Sequence, residues 1–179
     1  QVNDKIELNF ARVLRSALRQ DPDIVLVGEM RDQETAQIGL RAAMTGHLVL
    51  STLHTNDAIS TPLRLMDMGV PRYMVGSSLQ AVLAQRLVRV ICESCSTPYA
   101  PTPNEYEWLR LELGELVERN QYFHGKGCSH CNGMGYRGRT GVYELLEITR
   151  SVADAANHAD PSHFMKVATA QMAGDTLRR

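Results

Sequence analysis

The chain has four cysteines, and they fall in two C-x-x-C pairs, Cys92/Cys95 and Cys128/Cys131. A C-x-x-C turn lets two thiolates grip one ion, and two such turns complete a tetrahedral thiolate site. The spacing therefore asks residues 92 and 128 to meet. The stretch 96–127 is longer than the loop of a compact zinc ribbon, so it must fold as an inserted excursion closed at its base by the metal. Four sulfurs leave no position for water, which makes the ion structural. Zinc suits thiolates best among the common redox-silent ions. Two disulfides, an iron–sulfur cluster or four unrelated thiols are the other readings. The polar start, Gln1-Val2-Asn3-Asp4-Lys5, has no apolar export segment, which weighs toward metal. His130, between two of the cysteines, reads as a surface residue.

Ahead of the cysteines, helical and strand patterns alternate. Over 7–19, Phe10, Leu14, Ala17 and Leu18 recur at helical spacing as a buried stripe, with Arg12, Arg15 and Arg19 on another face. Asp21-Pro22-Asp23 ends that helix. Ile24–Val27 is a continuous apolar run that reads as a strand buried on both faces. Residues 33–44 are helical, with Gly46 as the stop. His47–Leu53 is a second apolar strand, and a third helix follows with Thr61 as N-cap and Pro62 at the first helical position. This is an α/β order, in which ligands lie beyond the carboxyl ends of the strands.

Polar clusters follow both strands: Gly28-Glu29-Met30-Arg31-Asp32 and Ser51-Thr52-Leu53-His54-Thr55-Asn56-Asp57. A carboxylate at position 29 can orient or deprotonate a water attacking a phosphoryl group, or hold Mg2+ through water. Its ordinary alternative is a sheet-end glutamate paired with Arg31. His54 can bond a phosphate or sense its loss. Its ordinary alternative is a histidine satisfied by Thr52, Thr55 and Asn56. His47 opens the second strand at the far end. The arginines at 12, 15 and 19 suit phosphate, an acidic neighbouring subunit or simple solvation.

Further on, residues 77–91 read as a helix with Leu79, Val82, Leu83, Leu87 and Val90 on its apolar side and Arg86 and Arg89 off it. An acidic helix is expected near 105–118, a glycine-rich turn over 133–139, a strand over 142–148 and helix over 151–179. The net charge is -1, from 19 basic and 20 acidic residues, so bulk electrostatics gives no argument for nucleic acid or an acidic membrane. Glu93, Glu105, Glu107, Glu112, Glu115 and Glu118 argue further against a polyanion. No apolar run is long enough to span a bilayer.

The order of motifs is specific. Phe10-Ala11-Arg12-x-Leu14-Arg15-x-x-Leu18-Arg19-x-Asp21-Pro22-Asp23 runs into the Gly28-Glu29-Met30-Arg31-Asp32 strand end. Thr45-Gly46-His47 leads to Ser51-Thr52-Leu53-His54-Thr55-Asn56, then Gln85-Arg86-Leu87-Val88-Arg89, the two cysteine pairs, and Gly135-Tyr136-x-Gly138-Arg139-x-Gly141-Val142-Tyr143-Glu144. Together these resemble the secretion ATPases of the GspE/PilB type, which drive bacterial type II secretion and type IV pilus assembly, including the mannose-sensitive haemagglutinin pilus branch.

The resemblance implies the second half of a RecA-like P-loop ATPase core over 1–91, a tetracysteine zinc module over 92–131 and a truncated, mainly helical C-terminal subdomain over 132–179. It implies that Gly28-Glu29 is a Walker B segment with Glu29 as the catalytic carboxylate, and that His54 is a His-box histidine near the phosphates. Arg12, Arg19 and Arg86 become candidates for nucleotide or subunit contact, and Cys92, Cys95, Cys128 and Cys131 zinc ligands. ATP and Mg2+ are implied for the full-length protein. So are a hexameric ring, an inner-membrane platform protein, a cytoplasmic adaptor and a cytoplasmic location against the bacterial inner membrane. The cysteines favour assembly or secretion over retraction.

No G-x-x-x-x-G-K-[ST] phosphate loop occurs in the 179 residues, and the family carries it upstream of these motifs. The expectation is that this stretch alone does not hydrolyse ATP. The alternative is a non-catalytic, zinc-bearing interaction module with a degenerate nucleotide fold.

Overall fold

The computed structural model describes residues 9–172 together with 176 and 177. Helix α1 (Phe10–Leu18) starts where the Asn9 side chain accepts the Arg12 N–H at 2.8 Å. Ala11 and Leu14 are its buried residues, with Leu18 packed beside them; Phe10 and Ala17, expected in the buried stripe, are exposed. The expected start at residues 7 and 8 lies outside the described residues.

Strand β1 (Ile24–Val27), helix α2 (Gln33–Met44) and strand β2 (Leu48–Ser51) form a β-α-β unit, with the strands parallel in the register Ile24↔Leu48 to Val27↔Ser51. The Asp32 carboxylate caps α2, accepting the Thr35 N–H and hydroxyl, each at 2.8 Å. Val25, Val27 and Val49 face a cluster that also holds Leu14, Leu40, Leu65 and Met74.

The expectation that β1 is buried on both faces is corrected. Ile24 is 62% and Leu26 73% exposed, because this two-stranded sheet has a packed layer on one face only among the described residues. Helix α3 (Ser60–Asp67) also starts differently. Asp57, buried, accepts the Ser60 N–H at 2.7 Å, and Thr61 lies inside the helix.

The largest correction concerns 77–91. The helix there is α4 (Arg72–Ser78), and Ala81–Ile91 is an eleven-residue strand, β3, paired with β6 (Tyr136–Glu147). Leu79, Val82, Leu83, Leu87 and Val90 match helical spacing by coincidence. The β-branched content and a distant partner strand decide the outcome. Residues 136–139, expected in a turn, belong to β6, and the expected strand over 142–148 is its second half. Among the described residues the C-terminal helical stretch is two helices, α6 (Arg150–Asn157) and α7 (Pro161–Met172), divided where Pro161 opens the second; of the expected continuation to 179, residues 173–175, 178 and 179 lie outside the described residues. They build a second cluster around Ile59, Leu146, Val152 and Phe164.

Two compact units result. One runs up to Ala84 and resumes at Tyr143; the other is Gln85–Val142. The second unit carries the inserted excursion: β4 (Ser96–Tyr99), helix α5 (Pro103–Leu113), a 3-10 turn over Gly114–Glu118 and β5 (Tyr122–Gly125), with β4 and β5 antiparallel. It therefore extends beyond residues 92–131 at both ends.

Candidate functional site

Beyond the last paired residues of β1 and β2 the two chains stay joined. The Met30 N–H donates to the Thr52 carbonyl at 3.1 Å, and the Thr52 hydroxyl donates to the Gly28 carbonyl at 2.6 Å. These bonds flank Glu29 and fix its backbone at the carboxyl edge of the sheet. Glu29 Oε1 lies 3.1 Å from His54 Nε2, and Glu29 Oε2 accepts the Arg31 Nε–H at 2.6 Å. The Glu29 side chain is 17% exposed, whereas that of His54 is 87% exposed. The carboxylate is thus sheltered at the strand end with an imidazole and a guanidinium at its mouth. The Arg31 pair anticipated as the ordinary role of Glu29 is present. Of the neighbours expected to satisfy His54, Thr52 bonds Gly28 and Thr55 bonds the Thr61 hydroxyl at 2.8 Å. A carboxylate with a histidine in this arrangement can orient a water and accept its proton.

His47, at the opposite end of β2, makes local contacts to the Ala42 carbonyl and the Thr45 hydroxyl. Arg15 joins α1 to α2 through Glu34 at 2.5 Å, an exposed pair. Arg12 on α1 and Arg19 directly after it are exposed in the first unit; Arg86 is on β3 in the second. A feature the sequence reading assigned no role is Glu144, a buried carboxylate on β6. Apolar Tyr143 and Leu145 on either side hid its inward position from the sequence.

The four cysteines converge in the second unit, with all four sulfurs within 4.8 Å of one another. Sγ–Sγ separations are 4.0 Å for Cys92–Cys128, 3.9 Å for Cys95–Cys131 and 3.8 Å for Cys128–Cys131. Tetrahedral zinc with bonds of about 2.3 Å places its sulfurs ~3.8 Å apart, so the cluster fits that ion. The same separations are nearly twice a disulfide bond, and the cysteines are free. Backbone N–H groups of Cys128 and Gly135 both donate to Cys131 Sγ at 3.2 Å. These bonds, led by that of Cys128, hold the Cys131 thiol down to about 6, whereas burial pushes Cys95 up to about 12. One sulfur of the cluster is thereby biased toward thiolate, the form a metal needs. Gly125 and Gly135 allow the excursion to close on this site, since a Cβ on Gly125 would lie 1.9 Å from the Gly135 carbonyl oxygen. The Cys92 N–H donates to that same carbonyl at 2.9 Å.

A sheltered strand-end carboxylate on a parallel β-α-β unit, with a four-cysteine cluster in the same chain, defines an α/β protein whose cysteines could hold a tetrahedral metal ion. The chain belongs to the Type II/IV secretion system protein family, whose model matches residues 1–179. It is 49% identical over 175 residues to the type II secretion system protein E of Dickeya dadantii, covering 98% of this chain and 33% of that protein. It is 47% identical over 155 residues to the type IV pilus assembly ATPase PilB of Thermus thermophilus, covering 87% of this chain and 17% of that protein. Among solved structures, the pilus retraction motor PilT with bound ADP is similar at a TM-score of 0.58 and 30% identity, over 92% of this chain and 36% of that one. The chain thus spans a third or less of the length of these curated relatives. Among the described residues no helix is long and apolar enough to cross a membrane.

Proposed function

We propose that this chain supplies the catalytic-carboxylate edge and zinc module of an ATPase that powers type II secretion or type IV pilus assembly. The observation that carries the reading is the meeting of Glu29 and His54 at 3.1 Å on the carboxyl edge of parallel strands. Kinship with protein E and PilB, and likeness to a PilT structure holding ADP, support it. Residues 1–91 form the second half of a RecA-like core. Residues 92–131 are the metal-held insertion, and 132–179 part of a mainly helical C-terminal subdomain. Glu29 orients the attacking water and takes up its proton. His54 stands on the solvent side of that carboxylate, where its imidazole could bond a phosphate oxygen. Mg2+ neutralises phosphate charge when bound.

Arg12, Arg19 and Arg86 meet nucleotide or a neighbouring subunit. Zinc at Cys92, Cys95, Cys128 and Cys131 is structural, since four thiolates leave no open position. The full-length protein works as a hexameric ring in the cytoplasm against the inner membrane, passing motion to a platform protein with the help of an adaptor. The 179 residues hold no G-x-x-x-x-G-K-[ST] loop, so no backbone cradle here grips the β- and γ-phosphates.

The full-length protein is expected to hydrolyse ATP, and Glu29→Gln to slow hydrolysis by about 10²–10⁴-fold. The 179-residue chain is expected to give no turnover. Unchanged phosphate release in the Glu29→Gln enzyme ends this reading, and turnover by the isolated chain removes the need for an upstream phosphate loop.

A further inference from the structure

His54 is too exposed for packing to fix its ring, so its position depends on the backbone that carries it. That backbone is tied at one end through Thr52, as described above. The other end reaches Ala58, which is fully buried. The Ala58 N–H donates to Glu144 Oε1, and the Leu177 N–H donates to Glu144 Oε2. Glu144 is 2% exposed, on β6, between exposed Tyr143 and Leu145. A carboxylate is costly to bury, and main-chain amides are the groups that offset its cost here. Charge-assisted bonds of this kind hold an amide more firmly than a neutral acceptor does. Ala58 directly follows Asp57, whose carboxylate accepts the N–H of Ser60, the first residue of α3. One anion on a distant strand therefore anchors the point where the His54 segment turns into a helix.

We propose that Glu144 is a positioning residue for the ATPase reaction: it anchors Ala58 so that His54 stays in contact with Glu29. This rests on the ATPase reading above. The Thr55–Thr61 hydroxyl bond is a second tether, so loss of Glu144 loosens the segment without unfolding it.

The test is a double-mutant cycle in the full-length enzyme, with Glu29→Gln as control. Glu144→Ala is expected to lower kcat about tenfold while KM moves less than about threefold. Glu144→Gln keeps one carbonyl oxygen for the Ala58 amide and should recover most of that loss. Added to His54→Ala, the Glu144→Ala change should cost no more than about a further twofold, because both act through one imidazole. Hydrogen exchange over 54–58 should quicken in Glu144→Ala and not in Glu144→Gln. If Glu144→Ala does not fold, Glu144→Asp, which retracts the carboxylate by one methylene, takes its place under the same criteria.

Fully additive losses in the double mutant, or normal kcat in Glu144→Ala or its replacement, overturn the proposal. A wild-type enzyme without ATP hydrolysis, or a Glu29→Gln enzyme with normal hydrolysis, overturns the ATPase reading on which it rests. An intact control with additive losses overturns the role of Glu144 alone.

Discussion

The two compact units differ in what lies inside each of them. The first has two apolar clusters, one around Leu40, Leu65 and Met74 and one around Ile59, Val152 and Phe164. In Gln85–Val142 the buried hydrophobic residues are Val117 and two of the cysteines, Cys92 and Cys131. A segment of that size with so little buried apolar surface falls short of the area that offsets chain entropy. On the zinc reading proposed above, a shared ion does the work of a core there, much as it does in small metal-dependent domains. In the first unit, hydrophobic burial fixes the backbone and leaves the carboxyl edge of the sheet available for chemistry.

The comparison is broken most severely by taking away the metal. Structural zinc contributes roughly 10 kcal/mol or more to the folding of small domains. A strong chelator, or Cys128→Ser, should therefore unfold the second unit while the first keeps its helices. Amide exchange reads both: protection of the β4–β5 ladder should vanish and that of α2 persist. Metal analysis before chelation should give about one zinc per chain. Acidification should act in the same direction. The ligands bind as thiolates, so protons compete with the ion at each of them: affinity falls with pH throughout the range below the raised Cys95 value of about 12, and most steeply once Cys131, lowered to about 6, is protonated too. Retained β4–β5 protection without metal would mean that the insertion has a core of its own.

A smaller effect belongs to the apolar unit. Phe164 is 1% exposed in the second cluster, and Phe164→Ala should cost about 3–5 kcal/mol in denaturant unfolding with zinc content unchanged. Smaller again is Asp32→Ala. It removes the cap of α2 and should cost about 1 kcal/mol, read as lower stability in the same titration. If Phe164→Ala released zinc, the two units would not be independent in the way their interiors suggest.

Legibility in the sequence followed the range of the interactions involved. The cysteine cluster was readable because C-x-x-C is a local chelating turn. The Glu29–His54 meeting was readable because two short apolar runs each ended in polar residues, and parallel pairing brings such ends to one edge. Strand β3 was not readable. Its leucines and valines fall at helical spacing, and only pairing with β6, far away in sequence, makes it a strand. The outer faces of β1 and β2 misled for a related reason: Ile24, Leu26, Leu48 and Leu50 have the composition of a doubly covered sheet but lie exposed. Glu144 escaped because apolar Tyr143 and Leu145 point outward while the acid points in, the reverse of the usual alternation.

The central claim is that Glu29 performs chemistry instead of merely pairing with Arg31. Nucleotide binding and phosphate release, measured together on full-length wild type and Glu29→Gln, test it most directly. The account predicts ATP affinity within a few-fold of wild type and phosphate release reduced by about two orders of magnitude or more. Phosphate release at the wild-type rate with Gln at position 29 would contradict it.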